Sequence, residues 1–539
     1  MLTNFLRVGM AAAAIVLATT TLAPAETSAT PVKPAVVAQA SPAPTSSPNP
    51  FTYRGYVRAY YFTRQNATAQ KGGTGQTNQA SFAPAISLHG EYKFGSSPIS
   101  VGATYLYASP LNGCTSPTSH LSTPCGKNSP PALNPDDTLP GFELSTLYEA
   151  YLQFKDPALT AKVGNQVYNQ PWANASDSRL KPAAFQGFDA VGNFNSEFNA
   201  QLSWMWQYQN RTSSSFTQNT LITSYPAGNP GLPANFWYQG GNGVTTPGML
   251  YARVGYNDVG VAHPSRGSTS SSAEAGKTMV VSNGGLTVDL ADYGFINLAN
   301  MLWLDGKYTF GDMKYQPFVA IQAATENNTG SAVLGKISST VFGAQLGASV
   351  TPNVLVAASY DNVPWRNSTF TLGTGVSCNS SNQIKTKKTF TLPYFLPSNA
   401  PECVTNANGT TTVYYGGIAS PYTDGYATDP MFTTSLTQGQ ADRRSPGSSF
   451  KAAVTFATSD KHFIASFSQA WYTYGNAIGS QNTGESDVDA QYFLEHVPKT
   501  GRYKGFSLRY RYGDRYYSSV KYGGLPDFKY NRFQAEYDF

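Results

Sequence analysis

Arg509, Arg511 and Arg515 stand two and four residues apart near the end of the chain, with Tyr510, Tyr512 and Asp514 between them. Residues an even number apart in an extended strand share a face, so this spacing gathers three permanent cations on one side. Arg54 and Arg58 repeat the even spacing near the start, and Arg532 stands in the last strand-like stretch. Such a column of guanidiniums could draw anions or carboxylates along a polar wall. It could equally pair with Asp487, Asp489 and Glu536 on neighbouring strands and only stabilise that wall. The sequence leaves both uses open. A second charged run, Asp177, Ser178, Arg179, Leu180 and Lys181, lies in a segment between strands. There too a local Asp177–Arg179 ion pair that merely holds the loop is an alternative to a role in recognition.

Catalytic chemistry finds no support. The five histidines, His89, His120, His263, His462 and His496, form no HxH or HxxxH pair. No serine sits in a nucleophile elbow, and no phosphate-cradling glycine motif occurs. The cysteines form two close pairs, Cys114/Cys125 and Cys378/Cys403. Their even number in an exported chain points to two loop disulfides, and the absence of short CxxC spacing argues against a structural zinc site. No enzyme activity, metal or cofactor is expected.

The elements that must position the arginines announce themselves at the C-terminus. In residues 527–539, Tyr530, Arg532, Gln534, Glu536 and Asp538 alternate with Asn531, Phe533, Ala535, Tyr537 and Phe539. A period of two with one polar and one apolar face is a strand between water and a second phase. Charged residues make up only 12% and aromatics 13%, with 35 Tyr and 49 Gly. A soluble domain carries about 25% charged residues, whereas a lipid-facing barrel needs few charges outside and many interfacial aromatics. The net charge of +5 is spread along the chain and carries no nucleic-acid signal.

Residues 1–25 read as a signal peptide, with Arg7, an apolar run over 8–17 and small residues at Ala23-Pro24-Ala25; Ala38-Gln39-Ala40 offers a second cleavage site. Residues 26–50, rich in Pro, Ala, Ser and Thr, read as an extended periplasmic spacer. No stretch approaches the roughly 20 apolar residues of a spanning helix. From 51 to 539 the alternation predicts an all-β, antiparallel transmembrane barrel. Short turns, such as 95–98, 156–157, 195–196, 311–312, 351–352, 459–460 and 498–501, join strand pairs on the periplasmic side. Long segments, 109–141, 169–184, 212–247, 363–448 and 516–526, fall on the outer side. The region 248–297 is the least regular; if 249–256 and 278–290 each supply a strand, the count is about 18.

A charge on the lipid face costs about 2–4 kcal/mol at mid-membrane. The arginines are therefore placed inside, as are Asp487, Asp489, Glu495 and Glu536, and Glu143, Glu149 and Lys155 of the strand 142–155.

Three blocks carry a resemblance to a known family: RGYVRAYYFTR (54–64), DSRLKPAAFQG (177–187) after Gly164-Asn165-Gln166, and DVDAQYFLEHV with YKGFSLRYRYGD (487–514). Together they resemble the OprD-type substrate-specific porins of the bacterial outer membrane, from about residue 51 to the end. The resemblance implies an 18-stranded, usually monomeric rather than trimeric barrel with inward-folded loops, one of them near 169–187. It also implies passive passage of small carboxylate-bearing solutes (amino acids, small peptides, organic acids) past a basic ladder. Asp177, Arg179 and Lys181 would then lie at the constriction, and Arg54, Arg58, Arg509, Arg511, Arg515 and Arg532 in the ladder. The family commonly has an apolar residue where Lys181 stands. The implied partners are the lipid bilayer with lipopolysaccharide, small solutes, and the barrel-assembly machinery, read through Phe539. The rival to a channel is a closed-barrel adhesin or scaffold presenting disulfide-tied loops.

Overall fold

The computed structural model describes residues 49–66, 79–109, 143–175, 179–224, 237–239, 243–258, 284–311, 313–333, 337–364, 376–378, 384–386, 402–405, 411–414, 418–423, 429–440, 447–476, 479–497, 503–516 and 528–539. Residues 1–48, with both expected cleavage sites, lie outside them, as do Asp177, Cys114 and Cys125.

Eighteen strands form one antiparallel sheet. In chain order they are β1 (Phe51–Asn66), β2 (Gln79–Lys93), β3 (Ile99–Ala108), β4 (Leu144–Lys155), β5 (Leu159–Gln166) and β6 (Ala184–Asn193). Then come β7 (Phe198–Gln209), β8 (Met249–Asn257), β9 (Gly285–Phe295), β10 (Ala299–Thr309), β11 (Phe318–Asn328) and β12 (Ser338–Thr351). The set ends with β13 (Val354–Val363), β14 (Gly447–Ala457), β15 (Phe463–Asn476), β16 (Gly479–Phe493), β17 (Gly505–Tyr516) and β18 (Phe528–Asp538). Each pairs with its chain neighbours, and β1 pairs with both β2 and β18, which closes the barrel. Closure leaves no unpaired edge, the condition for crossing a membrane with strands. No helix occurs among the described residues.

Side chains sort as the alternation requires. Val101, Leu152, Phe188, Leu202, Val254, Leu290, Leu302, Ile321, Leu346, Val454 and Phe467 stand exposed on the outer surface. Large aromatics, among them Tyr53, Tyr92, Tyr308, Trp204, Trp471 and Tyr510, join them there. An apolar band with interfacial aromatics is the surface lipid demands.

The closing ladder ends on the last residue. Phe539 N donates to Gly55 O at 3.1 Å and Gly55 N to Phe539 O at 3.0 Å. A Cβ on Gly55 would sit 2.4 Å from Ser87 O and 2.6 Å from the Phe539 ring. The glycine is therefore the seat of the terminal phenylalanine, and Gly55→Leu is expected to lower the yield of closed barrel. Gel migration of heated and unheated samples reads this directly; an undiminished folded band would show that the seam tolerates the side chain.

The turn reading needs four amendments. The ninth strand is Gly285–Phe295 rather than 278–290, so the connection before it, 258–284, joins strands at the end where β1 begins and β18 ends, and is not short. The turn expected at 311–312 is wider: β10 ends at Thr309 and β11 begins at Phe318, with Tyr315 and Gln316 at positive φ between them. In β4 the pairing with β3 slips at Thr104/Tyr105, leaving Tyr148 and Glu149 both facing inward. Such a bulge inverts the parity that precedes it. Glu143 therefore lies beside the outward-facing Tyr107 rather than in the lumen, and Lys155 is exposed at the strand end. Finally, Glu495 lies past the end of β16, in the turn 494–504, where its carboxylate accepts from Tyr503 OH and Phe506 N, both at 2.6 Å. It is exposed and is not part of the inner wall.

Candidate functional site

The segment between β5 and β6 crosses the lumen. Its first part packs on β7 to β10: Tyr168 OH donates to Ser203 Oγ at 3.1 Å, and Tyr251 OH to Gln170 Oε1 at 2.8 Å. Trp172 meets Trp303 edge-on at 5.4 Å. Its last part reaches β1, where Tyr56 OH donates to Leu180 O at 2.7 Å and Arg58 to Arg179 O. Tyr168, Phe185, Tyr208, Tyr251, Tyr293, Phe295 and Tyr422 form a buried aromatic mass inside the barrel. A membrane barrel thus carries a water-excluding core within its lumen. That core holds the crossing segment by burial rather than by polar contacts alone.

Against this crossing segment stands the basic wall. Arg58, Arg509, Arg511, Arg515 and Arg532 are all buried on the inner face of β1, β17 and β18, and Arg179 is buried with them. Arg54 shares their face nearer the start of β1, where it is exposed. Several are paired. Arg58 pairs with Glu536 directly opposite on β18. Arg509 makes a bidentate bond to Asp489, at 3.0 and 2.8 Å, and Arg511 Nε lies 3.2 Å from the same carboxylate. Arg515 stands opposite Glu485. At one point two cations meet: Arg511 and Arg532 are direct cross-strand partners of like charge. Together with Arg179 they surround the buried hydroxyl of Tyr60. Aromatic faces line this cluster, Tyr530 under Arg532 at 4.2 Å and Phe62 beside Arg179 at 6.0 Å.

Lys181 is buried. Its fully buried ammonium donates to Pro182 O, Gln209 Oε1 and Asn210 O at 3.2, 3.3 and 2.8 Å. It pins the crossing segment to the end of β7. Burial, with Arg211 adding to it, pushes its pKa down to about 7. No cross-chain pattern in the sequence signals this role, because its partners are backbone and amide oxygens. Cys378 and Cys403 lie in two small hairpins of the 364–446 connection, Val376–Cys378 with Ile384–Thr386 and Glu402–Thr405 with Thr411–Tyr414.

What sequence reasoning missed is a second inward segment. Residues 418–423 and 429–440, from the same long connection, are largely buried within the barrel. They lie against wall acids Glu326, Asp361, Asp487 and Glu485.

No protein-family model and no curated protein matches the chain. Solved structures do. OpdK from Pseudomonas aeruginosa matches with TM-score 0.56 at 13% identity, covering 91% of this chain and 98% of its own. Acinetobacter baumannii OccAB3 matches with TM-score 0.60 at 11% identity, covering 91% and 99%. A BenF-like porin from Pseudomonas fluorescens matches with TM-score 0.59 at 10% identity, covering 91% and 98%. At such identities the likeness carries the architecture and nothing finer. The chain has the closed eighteen-stranded barrel fold of the Occ/OprD-type outer-membrane porins.

Proposed function

We propose that the protein is an integral outer-membrane channel that passes small carboxylate-bearing solutes or anions by passive diffusion. The observation that carries this reading is the juxtaposition of Arg511 and Arg532 in register, with Arg179 brought to the same point by the crossing segment. Like charges directly opposite destabilise a sheet by a few tenths to about 1 kcal/mol. A wall selected only for stability would place an acid at one of these positions. A wall that hands anions onward keeps the guanidiniums. The neighbour OpdK has been crystallised with vanillate, a carboxylate, which fits the same chemistry. On this reading the end bearing both termini is periplasmic, Phe539 is the signal for the assembly machinery, and the barrel acts as a monomer in contact with lipopolysaccharide. The two cysteine pairs close disulfides in the outer loops.

Arg511→Gln tests it in planar bilayers. Losing one charge-assisted hydrogen bond is worth about 1.5–3 kcal/mol, so solute block is expected to weaken roughly tenfold or more. Anion preference should fall with it, while thermal stability loses the contact to Asp489 and gains relief from the repulsion of Arg532. Unchanged selectivity with a lowered melting temperature would make Arg511 a structural residue and remove the main support for the proposal.

A further inference from the structure

The second inward segment meets the barrel in an ordered way. Around the inner wall from β11 to β16 stand four buried carboxylates, and each accepts a backbone N–H from this one segment. Ala419 N donates to Glu326 Oε2 at 2.7 Å, and Thr433 N to Asp361 Oδ2 at 2.6 Å. Leu436 N donates to Asp487 Oδ2 at 3.3 Å, and Thr437 N to Glu485 Oε1 at 2.7 Å. The hydroxyls of Thr433 and Thr437 reinforce two of these bonds, both at 2.6 Å. Order along the chain thus follows order around the barrel. Tyr472 of β15 ties the middle, donating to Thr433 O at 2.5 Å.

The seat for this strap is built into the wall. A Cβ on Gly513 would come 3.2 Å from Asp487 Oδ1 and 3.3 Å from Thr437 Cγ2. One on Gly343 would come 2.1 Å from Asp361 Oδ1 and 3.2 Å from the Phe432 ring. Two cations face the same acids from other elements: Lys451 of β14, which donates to Thr434 O, and Arg515 of β17, opposite Glu485. Asp429 belongs to the strap itself and accepts from Met431 N at 2.9 Å.

We infer that residues 429–440 set the ionic selectivity of the lumen by covering its acidic wall. Rings of Asp and Glu favour cations in a pore, and arginine walls favour anions. This barrel carries both, on adjoining arcs that meet at β16 and β17. The strap occupies the acid arc with its own N–H dipoles and excludes solutes from it. The basic arc is then the wall that a permeating solute meets. This extends the proposed channel function, on which it rests, by naming the element that decides between its two possible polarities.

The test uses two variants of the full chain, reconstituted and checked for the folded band. One replaces residues 431–438 with a short Gly-Ser bridge. The other is Thr433→Pro with Thr437→Pro, which removes the two N–H donors and keeps the segment. In each, reversal potentials in a potassium chloride gradient should move toward cation preference, with a severalfold fall in the anion-to-cation permeability ratio. Adding Asp361→Asn, Glu485→Gln and Asp487→Asn to the bridged variant should bring the ratio back. A folded, conducting variant whose ratio does not change, or a shift that survives loss of the three carboxylates, overturns the inference. Wild-type protein that is folded and never conducts overturns instead the channel reading beneath it.

Discussion

Asp489→Asn is expected to lower the stability of the barrel by about 3–5 kcal/mol, the cost of removing one partner from a buried ion pair. Its carboxylate lies between Arg509 and Arg511, with side-chain exposure of 9% against 7% and 5% for the two arginines. Arg532 stands across from Arg511 on the other side, so neither guanidinium has a cross-strand acid to turn to there. The loss should appear as an earlier unfolding transition in urea, read in liposomes by tryptophan fluorescence. The same change adds a positive charge to the wall, so anion preference should rise even as stability falls. The upper end of the range assumes that lumen water does not reach the two guanidiniums; rehydration would shrink the cost toward that of an exposed pair. An unfolding midpoint equal to wild type would mean the arginines are held by solvent and not by Asp489.

Trp172→Ala should have an effect of similar size by a different route. Trp172 and Trp303 are each 1% exposed and meet at an interplanar angle of 82°. Truncating a buried Trp costs about 3–5 kcal/mol through lost transfer energy and the cavity left behind. Here the cost falls on the packing that keeps residues 167–175 across the lumen, so open-channel conductance should rise and become noisier. Trp204, exposed on the lipid face, supplies the control: Trp204→Ala should leave conductance as it was. Equal conductance in Trp172→Ala and wild type would show that the crossing segment keeps its place without the aromatic mass.

Much of this architecture was written in short-range pattern. Strict alternation in 503–515 and 527–539 puts Arg509, Arg511, Arg515 and Arg532 on one face, because side-chain direction in a strand depends only on parity. The lipid-facing set followed from the same rule and from the cost of charge in hydrocarbon. Where a bulge intervened, as at Tyr148, the rule failed for every residue on its far side. Glu143 was misassigned for that reason. Glu495 was misassigned because the strand ended before reaching it, and strand ends are set by turn geometry rather than by alternation.

The sequence by itself determined the barrel, its closing strand at the end of the chain, and the existence of a basic face, all consequences of period-two patterning and of the solvent on each side. Only the tertiary structure decided what those charges do to one another. Which acid meets which arginine depends on register across strands: it set Asp489 between two guanidiniums and Arg511 against Arg532. The two inward segments depended on it still more. Lys181, read as part of the constriction loop, is an anchor of that segment through amide and backbone oxygens brought from β7's end. Residues 429–440 carry no periodicity at all. Their place inside the barrel comes from single N–H groups meeting carboxylates that lie 48 to 72 residues away in the chain. Contacts of that kind leave no local pattern, since a backbone N–H is the same in every residue that has one.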